Sequence, residues 1–402
     1  MPYYSEAAVE RAMKVQEVIL RAVAKKITWI QAAEILGVSP RHMRRWKEKY
    51  ERFGFFALFD GRRGRASPRR VPSAVLDEVL RLYRERYFDL NVRHFHEKLT
   101  QEHGFSVSYT WTKGVLQGAG LVKRQPRRGT HRKRRVRRPL PGMLIHIDAS
   151  QHQWFCDERW HDLIAVEDDA TSRIYYAQLV EQESTRTVLR ALRQVVEEQG
   201  LFCSLYSDRA SHFWLTPKVG EPVDRQALTQ VGRAMRELGV QMIPAYSPQA
   251  RGRSERSFRT WQGRLPQELR LAEITTLEEA NRFVREQYVA EFNARFSVAA
   301  TAEGTAFVPC SRSDLDRVFC LQHERVVARD NTVSFARLTL QIERQQWRGT
   351  LAGCRVTVYE HLDATLSVGF GAHEVGRYSS EGTPLRAASK DGIKKAVKKR
   401  AA

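Results

Sequence analysis

Three acidic residues stand in settings suited to chemistry on an anionic substrate. Asp148 ends the apolar run Leu144-Ile145-His146-Ile147-Asp148, and Asp208 ends the shorter run Leu205-Tyr206-Ser207-Asp208. Glu255 follows the Pro/Gly loop Ser247-Pro248-Gln249-Ala250-Arg251-Gly252 and opens a helical pattern. A carboxylate inside an apolar strand is costly unless something pairs with it. Three that converge repel one another and attract a hard divalent cation, which carboxylate and water oxygens bind well. Two Mg2+ ions roughly 3.5–4 Å apart would clamp the attacking and leaving oxygens of a phosphodiester. Asp148, Asp208 and Glu255 are therefore the expected catalytic residues and metal ligands, with Mn2+ as a possible substitute. No side-chain nucleophile is required, and no Ser/His/Asp or Cys/His triad is apparent.

The elements that must position these acids follow from hydrophobic pattern. Strands are predicted at 143–149, 161–166, 174–180, 201–206 and 240–243, with a turn at Asp168-Asp169-Ala170-Thr171-Ser172. Helices are predicted from Ser184 to Gly200, over 225–238, from Ser254 to Arg270 and from Thr276 to Asn293. The order βββαβαβα implies three antiparallel strands continued by parallel strands through helical crossovers, a mixed five-stranded sheet flanked by helices. Trp261 falls at helical spacing and is expected in the core.

Charge separates the chain into parts. Of the formal net charge of +21, residues 1–140 carry +19, from 32 Lys and Arg against 13 Asp and Glu. A basic front joined to a near-neutral middle reads as a nucleic-acid-binding module attached to something else. A Lys-rich amphipathic helix with an apolar aromatic face, which an anionic membrane would require, does not stand out. Residues 1–59 hold three helical segments. Thr28 with Gln31 forms a capping-box pattern, Gly37 stops the second helix, and Ser39-Pro40 starts a third bearing Arg41, Arg44, Arg45 and Lys47. This is a helix-turn-helix pattern whose basic side chains would meet DNA. A basic linker (60–72) with Arg62, Arg63 and Arg65 follows. Residues 73–122 look like a second helix-turn-helix unit, in which His94, His96 and His103 read as partly exposed helix histidines. A second basic linker (123–139) contains Arg132, Lys133, Arg134 and Arg135, suited to phosphates. Arg209, Arg251, Arg253 and Arg256 flank the acids and are further candidate DNA contacts. Five cysteines without a Cys-x-x-Cys pair, and no long apolar stretch, fit a reduced cytoplasmic protein associated with the nucleoid.

Residues 318–378 alternate apolar and polar positions between glycines and are expected to form a small antiparallel barrel, followed by a basic tail at 385–402. The phrases Ile147-Asp148-Ala149-Ser150, Tyr206-Ser207-Asp208-Arg209 and Ala250-Arg251-Gly252-Arg253-Ser254-Glu255-Arg256 resemble those of the DDE transposases of bacterial insertion sequences, in the retroviral-integrase superfamily. The segment Phe258–Arg270 and the tandem helix-turn-helix front resemble the ISNCY-type group in particular. The resemblance covers nearly the whole chain. It implies a multidomain protein: all-α N-terminal helix-turn-helix domains, an α/β RNase H-like core over 140–296, and the small C-terminal barrel, which would bind DNA or join protomers. It implies binding of double-stranded DNA at terminal inverted repeats, metal-dependent cleavage, joining of 3′-hydroxyl ends to target DNA, and a homodimer or larger assembly. It places the metals on Asp148, Asp208 and Glu255, and Asn293 and Arg295 fit a phrase of the family. The gap between Asp208 and Glu255 is longer than in many members. Glu268 and Glu237 compete for the third position, the first deep in the predicted helix, the second without a preceding Pro/Gly loop. A DNA-binding regulator with an inactive core, and a nuclease without strand transfer, are the alternatives.

Overall fold

A computed structural model describes residues 4–59, 70–124, 135–155, 157–216, 223–224, 226–246 and 252–385. The chain forms two units, Met1–Arg86 with Ser106–Trp111, and Tyr87–Phe105 with Thr112–Ala402.

In the first unit, α1 (Glu6–Val23) buries Ala12, Val15, Val18, Ile19 and Ala22, the three-to-four spacing of one helix face. At α2 (Trp29–Leu36) the capping box forms as its sequence predicts. Thr28 Oγ1 accepts the Gln31 amide at 3.2 Å, and Gln31 Oε1 accepts the Thr28 amide at 2.9 Å. Gly37, at φ +64°, ends α2 in the left-handed region that favours glycine. Helix α3 (Pro40–Phe53) opens on Ser39, whose Oγ accepts the His42 amide at 3.3 Å. Met43 of α3 joins Ala32, Ala33 and the α1 face in one core. Helix α4 (Ser73–Glu85) follows.

The second unit contains α5 (Val92–Gln101) and a mixed sheet of order β3-β2-β1-β4-β5. Strands β1 (Ile145–His152), β2 (His161–Asp168) and β3 (Ile174–Val180) are antiparallel. Helix α6 (Tyr109–Gly118) precedes them. Helix α7 (Thr185–Gln199) leads to β4 (Ser204–Ser207), parallel to β1, and α8 (Gln230–Glu237) leads to β5 (Gln241–Pro244), parallel to β4. The succession of elements and the strand directions match the sequence pattern. Several boundaries differ, two of them by more than three residues or by a change of partner. Leu201 pairs with Val308 instead of entering β4, and α8 starts only after Thr229, whose Oγ1 caps the Gly232 amide at 3.0 Å.

One face of the sheet, with Ile145, Ile147 and Val166, packs on α7 and α8 through Val188, Leu192, Val195 and Met235. The other, with Leu163 and Ala165, packs on α9 (Gly252–Gln262), α10 (Leu265–Leu271), α11 (Leu277–Phe283), a π turn at Val284–Tyr288 and α12 (Val289–Phe296). The helix expected to run unbroken to Arg270 divides between α9 and α10. Pro266 lies in the first turn of α10, where its missing amide does no harm; inside a continuous helix it would remove a hydrogen bond and clash. Trp261 is fully buried and stacks on Phe292 with ring centroids 4.5 Å apart, so it belongs to the core.

Helix α5, expected within a separate DNA-binding unit, is bonded to α10 and its flanks. Asn91 Nδ2 donates to Gly263 O at 2.9 Å, Arg264 grips Glu97 at 2.8 and 3.1 Å, and Arg270 grips Asp89 at 2.6 and 2.9 Å. His94 is fully buried rather than partly exposed, with Nε2 2.5 Å from Glu268, and Lys98 donates to the same carboxylate at 2.8 Å. Burial pushes the Glu268 carboxyl up, but these two donors and their charges outweigh it and hold it at about 2.

The C-terminal part differs from the expected barrel. Among the described residues it has two open sheets: β6 (Cys320–Val326), β9 (Arg355–His361), β10 (Leu366–Phe370) and β11 (His373–Tyr378) in the order β11-β10-β9-β6, and the hairpin β7 (Thr332–Phe335)–β8 (Leu338–Gln341). The hairpin strands are short and pair with each other. Their inward Val333 and Leu340 cover Val358 and Val368, so side-chain packing rather than a continuous ladder joins the sheets. Helix α13 (Leu315–Val318) precedes them. Among the described residues no helix is long and apolar enough to cross a membrane.

Strand β3 is a sheet edge, and two asparagines occupy its free side. Asn293 accepts the Ile174 amide at 2.8 Å and donates to the Ile174 carbonyl at 2.9 Å; Asn281 does the same for Leu179 at 2.7 and 2.8 Å. Each carboxamide replaces one residue of a missing strand. Asn293→Leu keeps the volume and leaves a buried N–H and C=O unpaired. It is expected to destabilise the chain by roughly 2–4 kcal/mol, read as a lower urea midpoint; an unchanged midpoint would exclude this role.

Candidate active site

Alternation along β1 puts Ile145 and Ile147 into the core under α7 and turns His146, Asp148 and Ser150 toward the opposite face, where α9 lies. Parallel pairing sets Ile145 beside Leu205 and His146 beside Tyr206. Asp148 and Asp208 follow two residues further on, Asp208 just past the end of β4. Open sheets with parallel strands bind ligands at that end. Asp148 is 8% exposed and accepts the Ala149 amide at 2.9 Å; Asp208 is half-buried and accepts the Ala210 amide at 3.0 Å. The chain beyond β4 is pinned by Ser207, which accepts from Trp214 Nε1 at 3.0 Å.

Glu255 lies in the first turn of α9 and is exposed. Gln262, two turns along the same stripe, donates to Ser150 of β1 at 2.9 Å. The stripe that carries Glu255 thus runs beside β1. The two aspartates each lie two residues beyond the paired His146 and Tyr206, and the glutamate lies on the neighbouring helix. Among the described residues, no three His, Cys, Asp or Glu side chains are grouped to hold a metal ion. The competing glutamates are otherwise engaged: Glu268 with His94 and Lys98, Glu237 with Arg233 at 2.7 Å.

A second acidic group, read from the sequence only as a turn, organises the start of α9. Asp169 is buried and accepts from Arg135, Arg253, His146 Nε2 at 2.9 Å and the Arg138 amide at 2.9 Å. Burial alone would raise its carboxyl, but these donors and charges hold it well below the usual carboxylate range. Burial also lowers the His146 pKa despite that partner, so its imidazole is neutral and donates through Nε2. Asp168, fully buried, accepts the Gly142 amide at 3.0 Å and both Thr171 donors at 2.8 and 2.7 Å. The signal for this group was the pairing of adjacent buried-strand acids with an Arg-rich run, which spacing alone does not connect.

The expected DNA contacts divide accordingly. Arg41, Arg44 and Arg45 are exposed on α3, whereas Lys47 lies 5.0 Å from the centre of the Trp29 ring and 3.7 Å from Glu51. Arg135 and Arg253 are committed to Asp169. Arg209 lies over the Tyr246 ring. Arg256 is exposed. Arg62, Arg63, Arg65, Arg132, Lys133, Arg134 and Arg251 lie outside the described residues.

Glu167 of β2 is buried beside this group. Burial pushes its carboxyl up to about 7, against hydrogen bonds from Ser172 and Ser257 and the charges of Arg137 and Arg253. An unfolded glutamate titrates near 4.3. The folded state therefore binds the proton more tightly, and stability falls as pH rises from about 4.3 to about 7. Glu167→Gln removes this loss. It should leave stability unchanged at pH 4 and raise it at pH 8 by on the order of 3 kcal/mol; urea unfolding at both pH values checks this, and equal midpoint shifts would refute it.

Comparison with known proteins adds the following. Residues 16–66 match a family model described as a helix-turn-helix domain. The chain is 31% identical over 372 residues to the putative transposase y4bF of Sinorhizobium fredii, covering 92% of this chain and 81% of that protein. It is 28% identical over 313 residues to the transposase for insertion sequence IS1202 of Streptococcus pneumoniae, covering 69% and 67%. Among solved structures, the HTLV-2 integrase catalytic core aligns with 37% of this chain and 88% of its own at 14% identity and TM-score 0.28. A chain of the simian T-cell lymphotropic virus intasome aligns with 78% and 99% at 10% identity and TM-score 0.32. The extent of the match to the first relative decides the matter: the chain belongs to the transposase family.

Proposed function

We propose that this transposase binds the terminal inverted repeats of an insertion sequence, cleaves the element ends by hydrolysis and joins the 3′-hydroxyl ends to target DNA. The observation that supports the reading is the register of β1 with β4, which pairs His146 with Tyr206 two residues before Asp148 and Asp208, beside the helix bearing Glu255. In cleavage, a water oxygen attacks phosphorus, the P–O3′ bond breaks and the 3′ oxygen leaves with a proton. In joining, that 3′-hydroxyl attacks a target phosphodiester and releases a target 3′-hydroxyl. Both are in-line displacements on the same kind of centre, so one set of residues serves both.

The donor set suits hard cations: Asp148, Asp208 and Glu255 offer only carboxylate oxygens. Two divalent ions held there, Mg2+ or Mn2+, would supply charge stabilisation at the phosphoryl oxygens. Arg41, Arg44 and Arg45 of α3 read base edges and phosphates, and residues 73–122 and the basic linkers add phosphate contacts. Two ends must be joined, so a homodimer or larger symmetric assembly is expected on DNA.

Asp148→Asn should retain inverted-repeat binding within about twofold and lose at least ~10³-fold in Mg2+-dependent nicking, the scale of a lost transition-state interaction. Arg44→Ala should weaken binding to the repeat about tenfold, as loss of a base contact does, with nicking of saturated complex preserved. Absence of nicking by the unaltered chain over a full range of Mg2+ and Mn2+ concentrations would favour a DNA-binding regulator. Nicking with no joined product from a pre-cleaved end would leave a nuclease.

A further inference from the structure

Helix α9 has two polar flanks. Glu255 and Gln262 share one stripe; Arg253, Arg256, Ser257 and Thr260 share another, at the i, i+3, i+4, i+7 spacing of one helix side. From Arg253 to Glu255 the helix turns through about 200°. The second stripe faces a pocket of about 220 Å3, closed by Arg137, Glu167 and Ser172 on one side and by Phe292 and Phe296 on another.

The charge in this pocket is not balanced. Arg137 donates to the Asp169 carbonyl at 2.9 Å, the Ala170 carbonyl at 3.4 Å and Ser172 Oγ at 2.9 Å, all uncharged acceptors. Arg256 makes no side-chain hydrogen bond or ion pair among the described residues. Arg253 is paired with Asp169, which lies outside the lining. Glu167, the one carboxyl in the lining, sits under Ser172 and Ser257 and is half protonated near neutral pH. Guanidinium groups with donors to spare make a site for a tetrahedral oxyanion; the hydroxyls beside them are engaged within the protein, Ser172 and Ser257 with Glu167 and Thr260 with the Arg256 carbonyl at 3.0 Å. The rings of Phe292 and Phe296 give it an apolar wall of the kind a deoxyribose or base covers.

We propose that this pocket, on the flank of α9 away from Glu255, binds a phosphate group, that of one nucleotide of a DNA strand, through Arg256 and Arg137. The site does not depend on which residues carry out cleavage. It rests on the chain acting on DNA only for the source of the phosphate. A strand seated there would lie across α9 from the acids, so the helix would separate a held phosphate from a reacting one.

The test uses the full chain. Arginine modification by phenylglyoxal is mapped by mass spectrometry with and without inorganic phosphate, comparing Arg256 with Arg259, which is exposed on the same helix outside the pocket. Selective protection of Arg256 is expected; equal protection of both, or of neither, overturns the site. DNA binding is then measured against salt for the unaltered chain, Arg256→Ala and Arg256→Lys. If DNA is the source, the slope of log affinity against log salt falls by about 1 in Arg256→Ala and is restored in Arg256→Lys. Protection by phosphate with an unchanged DNA slope overturns the DNA assignment and leaves a free-phosphate site. Neither readout requires nicking, so an inactive core would not be mistaken for an empty pocket.

Discussion

The arrangement depends on the pairing of β1 with a strand only four residues long. β4 contributes Leu205 to the core beneath α7, and the same parallel ladder aligns it with β1 on one side and β5 on the other. Because side chains alternate across a strand, a slip of one residue would turn Asp148 toward α7 and carry Ile147 to the opposite face. The hydrophobic core thus specifies where the acids go. Ile145, Ile147 and Leu205 cannot leave it without exposing apolar surface, and the aspartates follow by parity.

The third acid is positioned by different forces. α9 is tied near its start by Arg253 to Asp169 and at its end by Gln262 to Ser150, while the Gly263 carbonyl just beyond accepts from Asn91. Ion pairs buried in this way return little net stability, because each charge gives up its hydration. Their directional requirements are strict, and breaking one would leave an uncompensated buried charge. The group around Asp169 and the set of bonds from α5 are better understood as fixing the orientation of α9 than as holding the domain together.

Features governed by neighbours in sequence were legible in it. The Thr28–Gln31 box, the Ser39 cap and the left-handed Gly37 depend on a few adjacent residues, and the succession of strands and helices along the chain followed from apolar periods. The two aspartates stood out because each ends an apolar run. What escaped depends on distant partners. His94 looked like a surface histidine because Glu268, 174 positions away, gives no local sign. Asp169 looked like a turn residue because its partners come from β1, the 135–138 segment and α9. The division of α9 from α10 had a local signal in Pro266 that the long helical period obscured. The barrel failed for another reason: alternation establishes strands but not which edges meet, and here the hairpin closes on itself.

The distribution of charge on α9 accounts for how an acid stays available in a segment so rich in arginine. Glu255 stands between Ser254 and Arg256 in sequence, with Arg253 one residue before Ser254. A free guanidinium facing it would form an ion pair and compete with any cation for its oxygens. The helix prevents this in two ways. Arg253 is drawn to Asp169, whose carboxyl is kept ionised, so its charge is spent before it can reach Glu255. Arg256 belongs to the stripe that lines the pocket with Arg137, roughly 100° around the helix from Glu255. With the apolar residues Phe258 and Trp261 buried between sheet and helix, α9 keeps an acidic and a basic flank apart on one rigid element. That separation keeps the Glu255 carboxylate apart from the guanidinium groups of its own helix.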